Sequence, residues 1–446
     1  MKIAPGFYHS PRWSCEVLDC AMPMTFDTYS NCAHQCVYCF AFFQRSISGA
    51  ADDYLKHRVK SVNVERVKRL FTTPDDPGWK YGKQFAEYIK RRMVLQWGGM
   101  SDAFDWYEKS LGKSLELLTF FNSMKYPVSI STKAVWFLDD ERYVKQIRGA
   151  DWQHWKESII TLNPKHWKKL EAGTPSPQDR FEALRRLKEL GVGCTTFRFR
   201  PFIIGSSDAG AEEMLVMARD AGCYSVSTEF LCLEARATET HMERYSRISE
   251  MVGFDIFEFY KKHSHPPSGY LRLNYDIKRP YIEKLERLCK KLGLLFFVSD
   301  AHHKEKSAAG GCCGLPAGGP LSNWSKGQYS EAIAIARKKG RVHWSDIADD
   351  AAWLKKIPFK EAEMFNQGNT QRRAKFGTKS LFDYMHNQWN DIKSQVSPAR
   401  YFGGALVPGG LDSDGNVIYL YNRPFVNDGH RVQSVGELIQ LEAGEG

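Results

Sequence analysis

The sequence predicts an α/β fold in which a parallel sheet closes into a complete or partial (βα) barrel. Between residues 22 and 300, short apolar segments of strand length alternate with helical patterns. The spacing leaves room for six or seven such units, and their strands would be parallel and joined by right-handed crossovers. After residue 300 the pattern changes and predicts a mixed α+β region. In a (βα) barrel the reactive groups lie at the carboxyl ends of the strands.

The individual elements follow from local patterns. Strands are predicted from short runs rich in β-branched and aromatic residues, at 22–30, 94–99, 128–133, 157–163, 194–204, 224–231 and 294–299. One helix is predicted to end near residue 93, and four more are predicted over residues 104–124, 138–148, 177–190 and 209–221. In the helix at 177–190, Phe181, Leu184 and Leu187 share one apolar face. Pro177 marks its start and Gly191 its end.

Composition divides the chain into four parts: an N-terminal extension (1–21), the barrel (22–300), a Gly- and Cys-containing loop (301–328) and a C-terminal α+β region (329–446). Residues 329–355 predict two short helices separated by Gly340. They would form either a helix-turn-helix that approaches phosphates or a plain packing unit. Residues 401–424 predict a β-hairpin that turns at Asp414-Gly415.

Length and composition exclude several classes of protein. The chain has 446 residues, of which 43% are hydrophobic and 26% charged, as in globular proteins and unlike disordered or fibrous ones. No apolar run is long enough to span a membrane, and the N-terminus has no signal-peptide pattern, so we expect a cytoplasmic protein. The net charge of +10 permits a polyanionic partner without requiring one. The oligomeric state does not follow from the sequence.

The most informative motif is the cysteine cluster Cys32-Ala-His-Gln-Cys36-Val-Tyr-Cys39. An odd total of eleven cysteines without a secretion signal argues against a disulfide framework. Three thiolates on one tight loop can hold three irons of a 4Fe–4S cubane and leave the fourth iron without a protein ligand. Such an open position is what a catalytic metal site needs. Structural zinc would require a fourth ligand, and His34 is a poor candidate for it.

With this motif placed after the first barrel strand, the sequence resembles the radical S-adenosylmethionine (SAM) superfamily. The resemblance implies a partial (βα)6-type barrel, a 4Fe–4S cluster held by Cys32, Cys36 and Cys39, and SAM bound at the unique iron. It also implies reductive cleavage of SAM to methionine and a 5′-deoxyadenosyl radical, which abstracts hydrogen from a substrate. An external electron donor such as flavodoxin or ferredoxin would supply the electron. Tyr38 matches the aromatic residue that lies near the adenine.

The same resemblance implies further contacts with SAM. The turn Gly98-Gly99-Met100-Ser101-Asp102 is similar to the superfamily's GGE motif, whose backbone carbonyls accept hydrogen bonds from the SAM ammonium. Met100 and Ser101 stand where the motif has an acidic residue, and Asp102 would substitute for it. The expected partner of the SAM carboxylate is Lys133, and that of the ribose is Ser158.

Two arginines on the fifth predicted strand need a separate explanation. Arg198 and Arg200 alternate with phenylalanines, so both face the same side of the strand. Arginines that point into a barrel require an anionic partner. The SAM carboxylate, a phosphate or the nearby Glu229 would each serve. We assign Arg200 to cofactor binding.

Within the superfamily, the chain resembles the spore photoproduct lyase-like branch over residues 22–235. Residues 25–30, Ser131-Thr132-Lys133 and the stretch 158–205 carry this likeness. The resemblance implies an enzyme that repairs or modifies a nucleic-acid base or a nucleotide. A radical SAM enzyme that modifies a peptide or protein is the first alternative, although only two cysteines follow residue 289. A non-catalytic iron–sulfur redox sensor is the second, although a sensor would prefer four protein ligands.

The loop after the last predicted strand carries His302, His303, Cys312 and Cys313. These four soft ligands could bind a second metal. Alternatively, Cys312 or Cys313 could donate a hydrogen atom to a substrate radical, because an S–H bond is weak. A loop with ordinary thiols is the third interpretation.

Overall fold

The computed structural model describes residues 11–14, 18–42, 51–76, 83–264, 269–308, 311–358 and 379–422. Within these ranges one eight-stranded sheet forms the centre of the molecule. Its strands, in spatial order, are β1 (Arg12–Trp13), β2 (Met24–Phe26), β3 (Leu95–Trp97), β4 (Val128–Thr132), β5 (Gln153–Ser158), β6 (Cys194–Phe202), β7 (Ser225–Phe230) and β10 (Leu295–Val298). Seven of the strands are parallel, and only β1 runs antiparallel to its neighbour β2. Because β1 and β10 end the order, the barrel is partial, as predicted.

Helices cover the outer face of this sheet and join its strands. In the barrel region they are α1 (Ala51–Leu55), α2 (Val64–Thr72), α3 (Ala86–Lys90), α4 (Trp106–Leu111), α5 (Lys113–Ser123), α6 (Glu141–Ile147), α7 (Pro164–Leu170), α8 (Pro177–Glu189), α9 (Ala211–Asp220), α10 (Glu239–Val252), α11 (Ile256–His263) and α12 (Tyr275–Leu292). Between α9 and α12 a small antiparallel pair forms from β8 (Leu233–Glu234) and β9 (Tyr270–Leu271). No helix in the described ranges is long and apolar enough to cross a membrane.

Alternation along the strands separates an apolar outer face from a polar lumen. On β5, Trp155 stacks on Phe137 with ring centroids 5.0 Å apart. On β6, Phe197 packs against Phe181 of α8 at 5.2 Å. Since successive residues of a strand point to opposite faces, Lys156 and Arg198 face inward. The core therefore lies between sheet and helices, and charged groups line the lumen.

Two elements of the barrel region differ from the sequence prediction in position or continuity. The fourth barrel strand is Gln153–Ser158 rather than 157–163, because its inward residues are polar and the apolar run begins only where the strand ends. The helix predicted over 104–124 is interrupted at Gly112, whose φ of 64° is left-handed, and it continues as a second helix from Lys113.

In its described residues, the C-terminal region adds four helices and a three-stranded sheet. These elements are α13 (Tyr329–Lys339), β11 (Arg341–Val342), α14 (Ser345–Ala351), α15 (Leu381–Asn390), α16 (Pro398–Tyr401), β12 (Leu406–Leu411) and β13 (Val417–Tyr421). The sheet order is β11–β13–β12, and β12 and β13 form the predicted hairpin, whose last two predicted residues, 423 and 424, lie outside the described residues.

The predicted helix-turn-helix at 329–355 has a different form in the structure. Gly340 ends α13 in a left-handed conformation, and the chain then forms strand β11 before α14 begins. β11 pairs with β13 of the C-terminal sheet, so a strand, and not a turn alone, separates α13 from α14.

Candidate active site

The three cysteines of the motif lie on the loop that follows β2. Cys36 is buried, Cys32 and Cys39 are half-buried, and all three are free thiols. The backbone N–H of Cys39 donates to Cys36 O at 3.1 Å, and Val37 N–H donates to Leu170 O at 2.9 Å. Burial raises the pKa of Cys36 to about 12, although the charge of Lys133 opposes this rise.

This donor set fits a 4Fe–4S cluster better than a single metal ion. The part of the chain that the structure describes contains no group of three Cys, His, Asp or Glu side chains arranged around one ion. A cubane does not need such a group, because each of its cysteines binds a different iron. The carbonyls of Cys36 and Val37 accept hydrogen bonds from Arg244 at 2.5 and 2.9 Å, which holds the loop from outside.

His34, inside the motif, links the loop to the strand ends and does not act as a ligand. Its Nδ1 lies 2.8 Å from Gly173 O and its Nε2 lies 3.1 Å from Asp102 Oδ2. Because both ring nitrogens face acceptors, the imidazole is held as a cation. Burial lowers the pKa of His34, but the hydrogen bond and charge of Asp102 outweigh it, so the pKa is raised overall.

Asp102 is fully occupied by protein donors. Oδ1 accepts from Phe104 N and from Thr132 Oγ1, and Oδ2 accepts from Lys133 N and from His34. A carboxylate has about four lone-pair sites, and all are used here. Asp102 thus positions the loop and the strand end in this structure, and its expected part in binding the SAM ammonium stays a prediction.

The preceding turn, Gly98-Gly99-Met100-Ser101, is fixed by Asp27. Asp27 Oδ1 accepts from the backbone N–H groups of Met100 and Ser101 at 2.8 and 3.0 Å. Gly98 has a φ of 88°, and a Cβ there would lie 2.6 Å from Ser131 O. Only glycine fits this close approach of two strand ends. The predicted use of the turn's carbonyls by SAM remains a prediction.

Lys133 and Tyr38 meet at a buried carboxylate, Glu171. Lys133 Nζ donates to Glu171 Oε1 at 2.7 Å and to Ser158 O at 3.2 Å. Arg180 donates to Glu171 Oε2 at 2.7 Å and to Ser158 O at 2.6 Å. The Tyr38 hydroxyl donates to Glu171 Oε1. Burial raises the pKa of Glu171, but Arg180 and Lys133 overcome this effect and bring it to about 2.

Helix capping explains why Glu171 and Arg180 meet. The side chain of Asn163 caps α7, which ends just before Glu171. Ser176 and Asp179 form a capping box at the start of α8, and Arg180 lies in the first turn of that helix. The turn between the two helices also brings Gly173 against His34, where a Cβ would lie 2.6 Å from His34 O.

A second carboxylate, Glu157, is completely buried in the same region. Neither of its oxygens has a hydrogen-bond partner among the described residues. Burial raises its pKa well above the ordinary value, with the charge of Asp102 acting in the same direction. Glu157 is therefore held as the neutral acid beside the charged network.

The lumen contains two layers of side chains from four strands. The lower layer (Ser129, His154, Thr196 and Ser225) is a continuous hydrogen-bonded chain. His154 Nδ1 lies 2.9 Å from Ser129 Oγ, His154 Nε2 lies 2.7 Å from Thr196 Oγ1, and Thr196 Oγ1 lies 2.7 Å from Ser225 Oγ. The upper layer, two residues further along each strand, consists of Ser131, Lys156, Arg198 and Ser227.

The Cys312–Cys313 loop closes one side of this lumen. Cys312 O accepts from Arg200 Nη2 at 2.7 Å and from Ser227 Oγ at 2.6 Å. Arg200 also pairs with Glu229 at 3.3 Å, so it belongs to the lumen and to this loop. The two thiols lie 3.7 Å apart. Their hydrogen bond lowers the pKa of Cys312 and raises that of Cys313, and the cations Lys304 and Arg200 further favour the Cys312 thiolate.

The two histidines of the same segment do not join the thiols. His303 is buried and stacks on Tyr275 with ring centroids 4.3 Å apart. Neither of its ring nitrogens has a hydrogen-bond partner in the described ranges. His302 instead packs against Gly403. Within those ranges the second metal site does not form.

The structure therefore groups the predicted residues into two sets. The cysteine loop, Tyr38, Lys133, Ser158 and the turn at 98–102 lie at the strand ends, whereas Arg200, Cys312 and Cys313 lie in the lumen. Sequence reasoning missed three residues that hold them, Glu171, Arg180 and Arg244, and two buried charged residues without a side-chain hydrogen bond among the described residues, Glu157 and Lys156. Glu171 lay within the stretch 158–205 that carries the resemblance, and Lys156 was hidden by the displaced strand boundary.

Comparisons with known proteins add a family match. Residues 27–218 match the model of the Radical SAM superfamily. No curated protein matches the chain.

Several solved structures are similar to it. A single-site mutant of spore photoproduct lyase has 12% identity and a TM-score of 0.47, covering 66% of this chain and 80% of its own. Spore photoproduct lyase complexed with dinucleoside spore photoproduct has 14% identity and a TM-score of 0.46, covering 62% and 76%. Streptococcus suis SuiB bound to the precursor peptide SuiA has 14% identity and a TM-score of 0.34, covering 64% and 51%.

Proposed function

Because residues 27–218 match the model of the Radical SAM superfamily, whose members use a 4Fe–4S cluster and SAM, we propose that this chain belongs to that superfamily and abstracts a hydrogen atom from a nucleic-acid base or a nucleotide. When bound, the cluster and SAM supply a 5′-deoxyadenosyl radical. An external donor such as flavodoxin or ferredoxin provides the electron. The observation that carries the proposal is the loop of three free thiols beside the buried Lys133–Glu171 pair.

The chain's own residues hold and orient these groups. Cys32, Cys36 and Cys39 bind the cluster, and His34 with Asp102 fixes the loop that carries them. Lys133 uses two of its three ammonium N–H groups on Glu171 and Ser158, which leaves the third for the SAM carboxylate. The Ser158 hydroxyl, at the end of β5, is available to the ribose.

Cys313 is the better of the two candidate hydrogen donors. Its raised pKa keeps the S–H bond, whereas Cys312 tends toward the thiolate, which has no hydrogen to give. Transfer of the hydrogen atom from Cys313 to a substrate carbon radical forms a C–H bond and leaves a thiyl radical on Cys313. In deuterated water, the wild-type enzyme should transfer deuterium from the Cys313 thiol to its product. Cys313→Ala should leave SAM cleavage intact but give a changed product without this deuterium. Cys312→Ala should give a product that keeps it.

The test of the function is an anaerobic assay. The protein is reconstituted with iron and sulfide, reduced with dithionite and mixed with SAM, and 5′-deoxyadenosine is quantified with and without single-stranded and duplex DNA. We expect 5′-deoxyadenosine that rises when DNA is added. With deuterated DNA, deuterium in the 5′-deoxyadenosine would locate the abstracted hydrogen. Formation that ignores DNA would contradict the substrate class, and no formation from a loaded cluster would favour a redox sensor.

Matched cysteine variants separate the cluster ligands from the other thiols. Cys32→Ala, Cys36→Ala and Cys39→Ala should each abolish the cluster absorbance and SAM cleavage. Cys223→Ala, which removes a buried thiol outside the motif, should preserve both. Full SAM cleavage in any of the three motif variants would refute the ligand assignment.

A further inference from the structure

The upper layer of the lumen has more positive charge than its protein partners neutralise. Four cations surround the Cys312–Cys313 loop: Lys156, Arg198, Arg200 and Lys304. Two of them are paired, Arg200 with Glu229 at 3.3 Å and Lys304 with Asp19 at 3.0 Å. Lys156 and Arg198 form no ion pair or hydrogen bond with any described residue. Two cations are thus left without an ion-pair partner among the described residues, although Glu229 and the two thiols lie near them.

Lys156 and Lys304 are buried, and Arg198 and Arg200 are half-buried. Lys156 is 2% exposed. Arg200 Nε and Ser131 Oγ are buried and have no partner in the described part of the chain. By contrast, the lower layer directly beneath them is fully hydrogen-bonded. Groups without a hydrogen-bond partner among the described residues therefore occur in the upper layer (Ser131, Lys156 and Arg198) and at Arg200, two residues further along β6.

An enclosed cluster of this kind is unfavourable unless a ligand completes it. Burial of an ammonium group without a partner carries a large desolvation cost. Burial lowers the pKa of Lys156 to about 8, and the neighbouring arginines act in the same direction. Such perturbed groups collect at functional sites, where the stabilising partner arrives with the substrate.

We propose that Lys156, Arg198 and Arg200 bind a phosphate group of the substrate inside the barrel lumen. A phosphate matches the site in charge, because Lys156 and Arg198 are cations without an ion-pair partner among the described residues and a phosphate group is an anion. It also matches in geometry, since a guanidinium offers a fork of N–H donors to phosphate oxygens. The lumen would thus recognise the phosphate group of the substrate. That this phosphate belongs to a nucleic acid or a nucleotide rests on the proposed function.

Binding can be measured without turnover. The full-length reconstituted protein is titrated calorimetrically with inorganic phosphate, with the four 2′-deoxynucleoside 5′-monophosphates and with the corresponding nucleosides. We expect the monophosphates to bind at least about tenfold more tightly than the nucleosides, because charge-assisted hydrogen bonds carry the difference. Inorganic phosphate should compete with them and should raise the melting temperature.

Charge-removing variants locate the site. Lys156→Met and Arg198→Gln should each weaken monophosphate binding by about tenfold or more. Lys156→Arg, which keeps the charge, should retain most of it. Lys145→Gln, at an exposed position on α6, is the matched control and should bind like the wild type. Loss of an unpaired buried charge does not endanger the fold, so Lys156→Met should melt no lower than the wild type without phosphate.

The remaining outcomes overturn the inference. Equal affinity for nucleosides and monophosphates, or unchanged phosphate binding in both variants, would show that the lumen does not recognise phosphate. If the variants lose affinity for SAM but not for phosphate, the cations serve the SAM carboxylate instead. Phosphate binding that persists when DNA fails to stimulate 5′-deoxyadenosine formation would support the site and contradict only the proposed substrate.

Discussion

Lys133 Nζ lies 2.7 Å from Glu171 Oε1, and this buried ion pair ties the end of β4 to the turn between α7 and α8. Glu171 holds Arg180 at the same distance on its other oxygen. One carboxylate thus fixes two cations and the Tyr38 hydroxyl next to the cysteine loop. The orientation of that loop depends on a residue that itself binds no metal.

Removing Glu171 should be strongly destabilising. Glu171→Ala leaves the buried Arg180 without its carboxylate partner, and breaking a buried pair in this way costs about 3–5 kcal/mol. The control is Glu182→Ala. Glu182 lies on α8, as Arg180 does, and the variant removes only an exposed ion pair with Arg185, so it should have little effect on stability. Chemical denaturation of both variants checks the difference. Similar unfolding free energies for the two would show that Glu171 is not a structural hub.

His303 should make the protein sensitive to mild acid. Burial lowers its pKa from 6.5 to about 3, and the charge of Lys278 adds to this effect. The unfolded chain therefore binds a proton at this residue that the folded chain does not. The free energy of unfolding therefore decreases as the pH falls from 6.5 toward 3. At pH 5 the decrease due to His303 is roughly 2 kcal/mol.

The variant His303→Phe tests this effect. A phenyl ring can keep the stack on Tyr275 but cannot be protonated. Denaturant titrations at pH 7.5 and pH 5 should therefore show a smaller loss of stability in the variant than in the wild type. An equal loss in both proteins would assign the acid sensitivity to other groups.

The sequence predicted the strands whose apolar runs coincide with the sheet. The predicted 128–133 and 224–231 correspond closely to Val128–Thr132 and Ser225–Phe230. β5 was displaced because a strand that faces a polar lumen lacks a continuous apolar signal. His154 and Lys156 occupy inward positions there, and their polarity masks the strand.

The sequence predicted the candidate site only where the spacing of residues along the chain is enough to define it. The CxxxCxxC motif shows three thiols on one loop, whatever the fold around them. The lengths of α7 and α8 decide that Glu171 meets Lys133, and a single sequence does not reveal such long-range pairing. The same holds for Asp102, which accepts hydrogen bonds from its own turn at Phe104, from the adjacent Thr132 and Lys133, and from the distant His34.

Arg244 should affect how firmly the cysteine loop keeps its cluster. Its guanidinium binds the carbonyls of Cys36 and Val37 and lies 4.5 Å from the ring centroid of Phe42. Arg244→Met removes these hydrogen bonds while keeping part of the apolar volume. We expect iron release to a chelator to become several-fold faster, with little change in overall secondary structure.

A variant at a neighbouring position serves as its control. Arg247 lies on the same helix and is exposed. Arg247→Met should lose iron at the wild-type rate, measured by the absorbance of the chelated iron. If the two variants release iron equally fast, the contacts of Arg244 with the loop carry no stabilisation.

Gly314 should control the position of the Cys312–Cys313 loop in the lumen. It has a φ of 76°, and a Cβ there would overlap Ser225 Oγ and would lie 2.7 Å from Thr196 Oγ1. Gly314→Ala therefore forces the loop away from the lower layer, and both thiols should become more accessible. Gly318→Ala adds a methyl group into open space in the same loop and should leave it in place. Alkylation of Cys312 and Cys313 by iodoacetamide, resolved by mass spectrometry, should be several-fold faster in Gly314→Ala than in Gly318→Ala. Equal alkylation rates would mean that the loop does not depend on this close approach.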